Sequence, residues 1–204
     1  MKLFEFRPKK KMEVAQPVDE LAEARKIEPA QFDRVVAERS GREVFDRREA
    51  LKHDLRTTIY FYANHRVIGA PLMGRKGEIH AELLRPFVAN EPLGNEELGK
   101  LAFDALLAFE ARVPPSLRDW KKRDWPAFRV SGAKSTRQFE AESLGISIET
   151  INTTMRVEAF PLMTNEPNLA LRAYCSPSAL HEEFGSLLRL LLRGVDALRS
   201  SGVV

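Results

Sequence analysis

The stretch RVIGAPLM at residues 66–73 decides the fold, because RVEAFPLM at residues 156–163 begins and ends in the same way. Both open on Arg-Val and close on Pro-Leu-Met, and their starting positions, 66 and 156, differ by 90. Period-two alternation is what a half-buried strand requires, since successive side chains point to opposite faces. Downstream, apolar residues occur at every second position in both copies, again 90 residues apart. They are Ile79, Ala81 and Leu83 in the first copy and Leu169, Leu171 and Ala173 in the second.

A helix is predicted after each of these hairpins. In both segments apolar residues fall at i, i+3, i+4, i+7 and i+11, which is one stripe typical of a helix packed on a sheet. Acidic pairs at 96–97 and 182–183 oppose the positive end of a helix dipole and predict helix starts nearby. The prolines at 114 and 115 predict the end of the first helix. The stripes are Leu98, Leu101, Ala102, Ala105 and Phe109, and Phe184, Leu187, Leu188, Leu191 and Val195.

These patterns predict an α+β fold, an antiparallel sheet with amphipathic helices packed on it, built from two related β-β-α halves. The predicted domains are an N-terminal arm or helical extension at 1–28, a first half at 29–113, a connector at 114–126 and a second half at 127–204. One half alone buries too little apolar surface to be stable, so we expect both to form one globular unit. The alternative is chance, because unrelated β-β-α units share turn and helix signals.

Charge and composition exclude several classes of protein. The chain has 32 basic and 29 acidic residues, a net charge of +3, so no whole-protein field favours nucleic acid and no direct nucleic-acid binding is expected. The single Cys175 excludes an internal disulfide and is typical of a reducing compartment. No apolar run reaches the roughly 20 residues of a membrane span. We therefore expect a cytoplasmic protein without membrane contact.

The ionisable residues do not assemble into a catalytic set. None of the histidines stands at metal-ligand spacing from another histidine or from the cysteine, so neither a metal nor another cofactor is expected. Cys175 continues the predicted inward face of its strand, where burial favours an inert thiol. We expect no catalytic residue and no enzyme activity. The four histidines are His53, His65, His80 and His181.

One tripeptide keeps an enzymatic alternative open. Asp119-Trp120-Lys121 has the acid-x-lysine form of metal-dependent nucleases, in which the acid binds Mg²⁺ and the lysine positions water. That chemistry needs a strand, whereas this tripeptide lies in the proline-bounded connector. A nucleic-acid-binding module is a further alternative, which would show affinity that falls steeply with salt.

The end of the connector and the sequence after it, together with segments of the first half, resemble the immunity proteins of bacterial contact-dependent growth inhibition systems. The similarity covers roughly residues 55 to 195, and the first 50 residues match nothing that we can place. The residues that carry it are Trp125-Pro126-Ala127-Phe128, Ser131-Gly132, Lys134-Ser135, Phe139-Glu140 and Phe160-Pro161, with Pro71, residues 83–86 and Glu97-Leu98-Gly99 upstream.

This resemblance implies a function through binding alone. An immunity protein binds the toxic C-terminal domain delivered by a neighbouring cell and blocks its active site or substrate path, and many such toxins are nucleases. The shared residues are expected to hold the fold, because toxin-contacting surfaces differ between cognate pairs. Our candidate toxin contacts are therefore the exposed-type residues of the connector, Asp119, Trp120 and Asp124. The sequence does not identify the toxin, the oligomeric state or the role of residues 1–28.

Overall fold

The computed structural model describes residues 29–63, 65–75, 80–114, 125–162 and 170–201 as a mixed α+β structure. Within these ranges lie five helices and a seven-stranded antiparallel sheet, which confirms the predicted fold class. The helices are α1 (Pro29–Leu51), α2 (Asn95–Leu107), α3 (Pro126–Ser131), α4 (Thr136–Glu142) and α5 (His181–Ser200). The strands are β1 (Arg56–Tyr62), β2 (Arg66–Met73), β3 (Ala81–Glu82), β4 (Phe87–Asn90), β5 (Ser143–Ile151), β6 (Thr154–Pro161) and β7 (Leu171–Cys175).

The sheet is built around two hairpins that meet through their first strands. Its order is β3-β2-β1-β5-β6-β7, and β4 lies beside β3 along the same edge of β2. Hairpin β1–β2 and hairpin β5–β6 join where β1 pairs antiparallel with β5, with Thr58 opposite Ser147. The first hairpin then receives β3 and β4 on its outer side, the second receives β7, and each is followed by a long helix. This repeated order agrees with the two related halves expected from the sequence.

One face of the sheet carries the main core. The apolar stripes of α2 and α5 cover it, and α1 adds Val44. Ile59 of β1 and Ile146 and Ile148 of β5 lie fully buried beneath these helices. Because both hairpins contribute to this one cluster, the main core is shared between the two halves.

Helices α2 and α5 approach each other closely near their first turns, through two glycines. A Cβ at Gly99 would overlap the carbonyl oxygen of His181, the first residue of α5. A Cβ at Gly185 would overlap the carbonyl oxygen of Asn95, the first residue of α2. The fifth residue of each helix therefore contacts the first residue of the other, so the contact is reciprocal. Phe103 and Phe184 stack edge-to-face beside it, with ring centroids 5.1 Å apart.

The opposite face of the sheet is covered over β1 and β2 by the short helices α3 and α4. Ser135 begins α4 by accepting a hydrogen bond from the Gln138 amide, and Gly132 ends α3 at φ 82°, where a side chain would be strained. Phe139 of α4 packs on Tyr60 and Tyr62 of β1, and these rings form a second, aromatic cluster.

Helix α2 ends at Leu107, before the prolines, because Glu110 joins the sheet: its amide donates to the Leu72 carbonyl and its carbonyl accepts from Gly74. The segment 1–28 and most of the connector lie outside the described residues, and the predicted domain boundaries stay predictions. None of the described helices is long and apolar enough to cross a membrane.

Candidate protein-binding face

The connector residues predicted as contacts cannot be placed. Asp119, Trp120 and Asp124, and with them Lys121 of the nuclease alternative, fall in segment 115–124, outside the described residues. These assignments stay predictions, and the candidate site must be built from other residues.

The histidines lie at four separate places in the fold. His65 is exposed in the β1–β2 turn at φ 65°, and His53 follows α1. His181 opens α5, beside the acidic pair that predicted a helix start, with its ring 5.2 Å from that of Phe103. Alternation with Ile79 and Ala81 predicts His80 on the outer face of a strand, but His80 precedes β3 and is half-buried, with its ring 6.2 Å from that of Phe109.

Cys175 is partly buried against the main core. Burial raises the pKa of its thiol to about 11, so the sulfur is protonated and weakly nucleophilic near neutral pH, in line with the sequence prediction. Within the described ranges, no three His, Cys, Asp or Glu side chains are grouped closely enough to hold a metal ion.

Some of the residues that carried the family resemblance lie around a buried carboxylate, that of Glu82. Glu82 is 6% exposed and accepts hydrogen bonds from the Tyr60 hydroxyl and the Trp125 indole, each at 2.6 Å. It also accepts from the Ala127 amide at 2.9 Å, in the first turn of α3. Burial raises the pKa of Glu82 despite these bonds, and burial together with the Glu82 charge raises the pKa of Tyr60. With its acceptors used inside the fold, Glu82 fixes α3 to the sheet and has a structural role.

Among the described elements, no helix covers this same face over β5, β6 and β7. Strand register aligns two rows of side chains here, which we name the charged face. The first row runs across four strands as Arg56, Glu149, Arg156 and Tyr174. The second row, two residues along each strand, is Thr58, Ser147, Glu158 and Arg172.

Ion pairs connect the charged face from one side to the other. Glu149, whose side chain is 8% exposed, binds both Arg56 and Arg156. Arg156 reaches Glu158, with Nε 3.9 Å from Oε2, and Arg172 contacts the same oxygen at 3.1 Å. The Glu158 contact raises the pKa of Arg172, so that guanidinium is charged at every physiological pH. The chain of contacts holds five long side chains in fixed positions. These side chains would therefore lose less conformational entropy when a partner binds.

A cleft of about 570 Å³ adjoins the charged face at Arg56. It lies between the last turn of α1, the start of β1 and the segment after α2. Its walls combine aromatic rings with cationic and acidic side chains. The Arg56 Nη1 stands 3.4 Å from Nδ1 of His80, which connects the cleft to the first row. The lining residues are Phe45, Arg48, Glu49, Lys52, His53, Asp54, Arg56, His80 and Phe109.

The charged face was not predicted from the sequence, although the sequence carries a signal for it. Arg156, Glu158 and Arg172 occupy the polar positions of predicted strands, so alternation alone places them opposite the core. What alternation does not give is the pairing of β5 with β1 and β6, which aligns these residues into rows.

Comparisons with known proteins identify relatives in fold only. No protein-family model matches the chain, and no curated protein matches it significantly. A protein of unknown function from Neisseria meningitidis matches with a TM-score of 0.53 and 19% identity, over 69% of this chain and 94% of that one. A chain of a CdiA-CT/CdiI toxin and immunity complex from Yersinia pseudotuberculosis matches with a TM-score of 0.51 and 13% identity, over 69% and 96%. At these identities the likeness shows the fold alone.

Proposed function

We propose that this chain is an immunity protein that binds the toxic C-terminal domain of a cognate protein and neutralises it. The observation that carries the proposal is the fold shared with a chain of a toxin and immunity complex, which covers nearly the whole of that chain. The sequence resemblance to immunity proteins of contact-dependent growth inhibition systems supports it independently, since it was drawn from motif residues. The expected partner is a nuclease domain, and the expected site of action is the cytoplasm.

Neutralisation would come from occlusion of the toxin's active site or substrate path. An inhibitor must outcompete the toxin's substrate, so we expect a Kd of about 1 nM or below and an interface of about 1,600 Å² in total. Charged side chains would accelerate the encounter, and a few arginines or aromatic residues would supply most of the affinity. The described residues offer such side chains on the charged face.

Co-expression tests this function directly. A gene for a large secreted protein is expected immediately upstream, and its C-terminal domain is produced in cells with or without this chain. We expect cells that make the domain alone to stop growing, and cells that also make this chain to grow normally. An unrelated immunity protein serves as the control and is expected to give no protection. Growth arrest despite production of this chain would contradict the proposal.

A second measurement separates the enzymatic alternative. The purified chain is incubated with RNA and with DNA in the presence of Mg²⁺. We expect no cleavage. Cleavage that disappears in Asp119→Ala would assign the chain to the metal-dependent nucleases instead.

A further inference from the structure

The charged face offers more hydrogen-bond donors than acceptors. Three guanidiniums lie on it, each with five N–H donors, against two carboxylates that already bind them. Arg172 is the most open of the three, with 49% of its side chain exposed on the edge strand β7. This surface therefore has unused N–H donors, which can bind further hydrogen-bond acceptors, above all negatively charged ones.

An exposed tyrosine stands at the end of the same array. Tyr174 is 62% exposed and ends the first row, directly opposite Arg156. Tyrosine and arginine are the side chains that most often dominate the energy of protein interfaces, because they combine a large apolar area with directed hydrogen bonds. Two arginines and a tyrosine held on adjacent strands, about 4.8 Å apart, form such a group.

The order of the charges favours a protein over a nucleic acid as the occupant. Glu149 and Glu158 lie between the arginines, so a phosphate backbone would place negative charges against carboxylates. Nucleic-acid footprints are larger and of one sign. A protein surface can instead set separate carboxylates opposite the arginines and leave neutral groups opposite the glutamates.

We propose that the charged face is the centre of the interface with the toxin domain, to which the toxin contributes carboxylates for Arg156 and Arg172 and an apolar or aromatic side chain for Tyr174. This inference rests on the proposed function. Two rows across four strands measure only about 15 Å by about 7 Å, roughly 100 Å², which is well below the roughly 800 Å² per partner of a stable interface. The contact must extend further, and the cleft beside Arg56 is the adjoining concave surface.

The test measures binding of the toxin domain, the C-terminal domain encoded upstream, to the full chain and to matched variants by calorimetry. Removal of a charge-paired or hot-spot side chain from a buried interface typically weakens binding at least thirtyfold. We expect Arg172→Glu to weaken binding about 100-fold or more and Tyr174→Ala at least about thirtyfold. Glu158→Gln, which removes an acid, is expected to leave binding unchanged or to tighten it.

Arg193→Glu supplies the matched control, because Arg193 is exposed on α5, across the sheet. We expect its affinity to stay within about threefold of the unmodified chain, since a remote rim charge contributes little. Circular dichroism of each variant establishes that it is folded. Tyr174→Ala keeps the test valid if Arg172→Glu does not fold.

The outcomes separate this proposal from the proposed function. If the unmodified chain neither binds the domain nor protects cells, the immunity function fails. If it does both and the Arg172 and Tyr174 variants bind equally well, only the location of the interface is overturned. Tighter binding by Arg172→Glu with weaker binding by Glu158→Gln would indicate a basic partner surface and overturn the stated chemistry. Binding of a 20-nucleotide RNA or a 20-base-pair DNA that Arg172→Glu abolishes would replace the protein partner with a nucleic acid.

Discussion

At the scale of the residue, the fold depends on the carboxylate of Glu82, which sequence alternation does not predict to be buried. Glu82 lies between Ala81 and Leu83 in a predicted alternating strand, which puts it on the solvent side. The structure buries it, since α3 covers this face and brings the Trp125 indole and the Ala127 amide to its oxygens. A buried charge is tolerated only when such partners satisfy it.

Glu82→Gln tests this arrangement. The amide NH₂ group that this change introduces is itself a donor, and it would face one of the donors that now bind the carboxylate. We therefore expect the free energy of unfolding near pH 5 to fall by about 1–3 kcal/mol. Because the pKa of Glu82 is raised in the folded state, the native protein binds more protons than the unfolded chain above the ordinary pKa of 4.5. Protonation of Glu82 therefore stabilises the fold at low pH, and this stabilisation declines as pH rises. The difference between wild type and variant should therefore shrink from pH 5 towards pH 8 in urea titrations.

Exposed Glu96 in the first turn of α2 supplies the control for this change. Glu96→Gln removes only a favourable interaction with the helix dipole, and we expect it to alter the free energy by less than about 1 kcal/mol. A stability gap for Glu82→Gln that widens with rising pH would show that the carboxylate form is the favoured one in the fold.

At the scale of the element, the contact between α2 and α5 fixes how the two halves join. The 86-residue offset that relates the two apolar stripes also relates Gly99 to Gly185. The structure places these glycines at equivalent positions of a reciprocal contact. The backbone amide of Gly94 is bound by Glu97, and Glu183 does the same for Leu180, so the two helix starts are also alike.

Gly99→Ala is expected to destabilise the protein. The new methyl group would overlap the His181 carbonyl and force the helices apart, which typically costs about 1–3 kcal/mol and more where backbone must move. Gly185→Ala should behave alike, for the reciprocal reason. Gly94→Ala is the control, because its nearest neighbour would be Glu97 Oε2 at 3.6 Å, an ordinary contact. Thermal melting measures the stability of all three variants. An unchanged melting temperature for Gly99→Ala would mean that the two helices lie further apart than the structure places them.

Sequence periodicity was sufficient for the elements that bury one regular face. The stripes of α2 and α5 and the strands β2 and β7 follow from side-chain spacing, so they could be predicted. It was insufficient for the ends, since α2 ends at Leu107 for a tertiary reason, the pairing of Glu110 with β2. It was also insufficient for α3 and α4, whose role is set by Glu82 and Tyr60, more than forty residues earlier in the chain.

At the scale of the whole molecule, the two halves are joined through the middle of one sheet. The β1–β5 pair supplies backbone hydrogen bonds along seven registered positions, and residues of both halves share the main core. The candidate interface has the same origin, because Arg56 comes from the first half and the rest of its row from the second. A search within either half alone would not find this surface.

A fragment of residues 125–204 should consequently fail to fold alone. It would lose the partner of β5, the α2 surface that α5 packs on and the carboxylate that holds α3. We expect no cooperative thermal transition by circular dichroism. Addition of the fragment 1–114 should restore one, because association then rebuilds the central pair. A cooperative transition in 125–204 alone would mean that the second half is an autonomous domain.

The central β1–β5 pair also constrains when the sheet can be completed during synthesis. Thr58 meets Ser147 about ninety residues later, so the inner edge of the first hairpin has no partner while that length is translated. At about 5–20 residues per second this delay is on the order of 5 to 20 s. Throughout it the nascent chain presents an unpaired strand and an incomplete arginine row. The complete charged face therefore exists only in chains whose synthesis has passed β7, several seconds after the first hairpin is made.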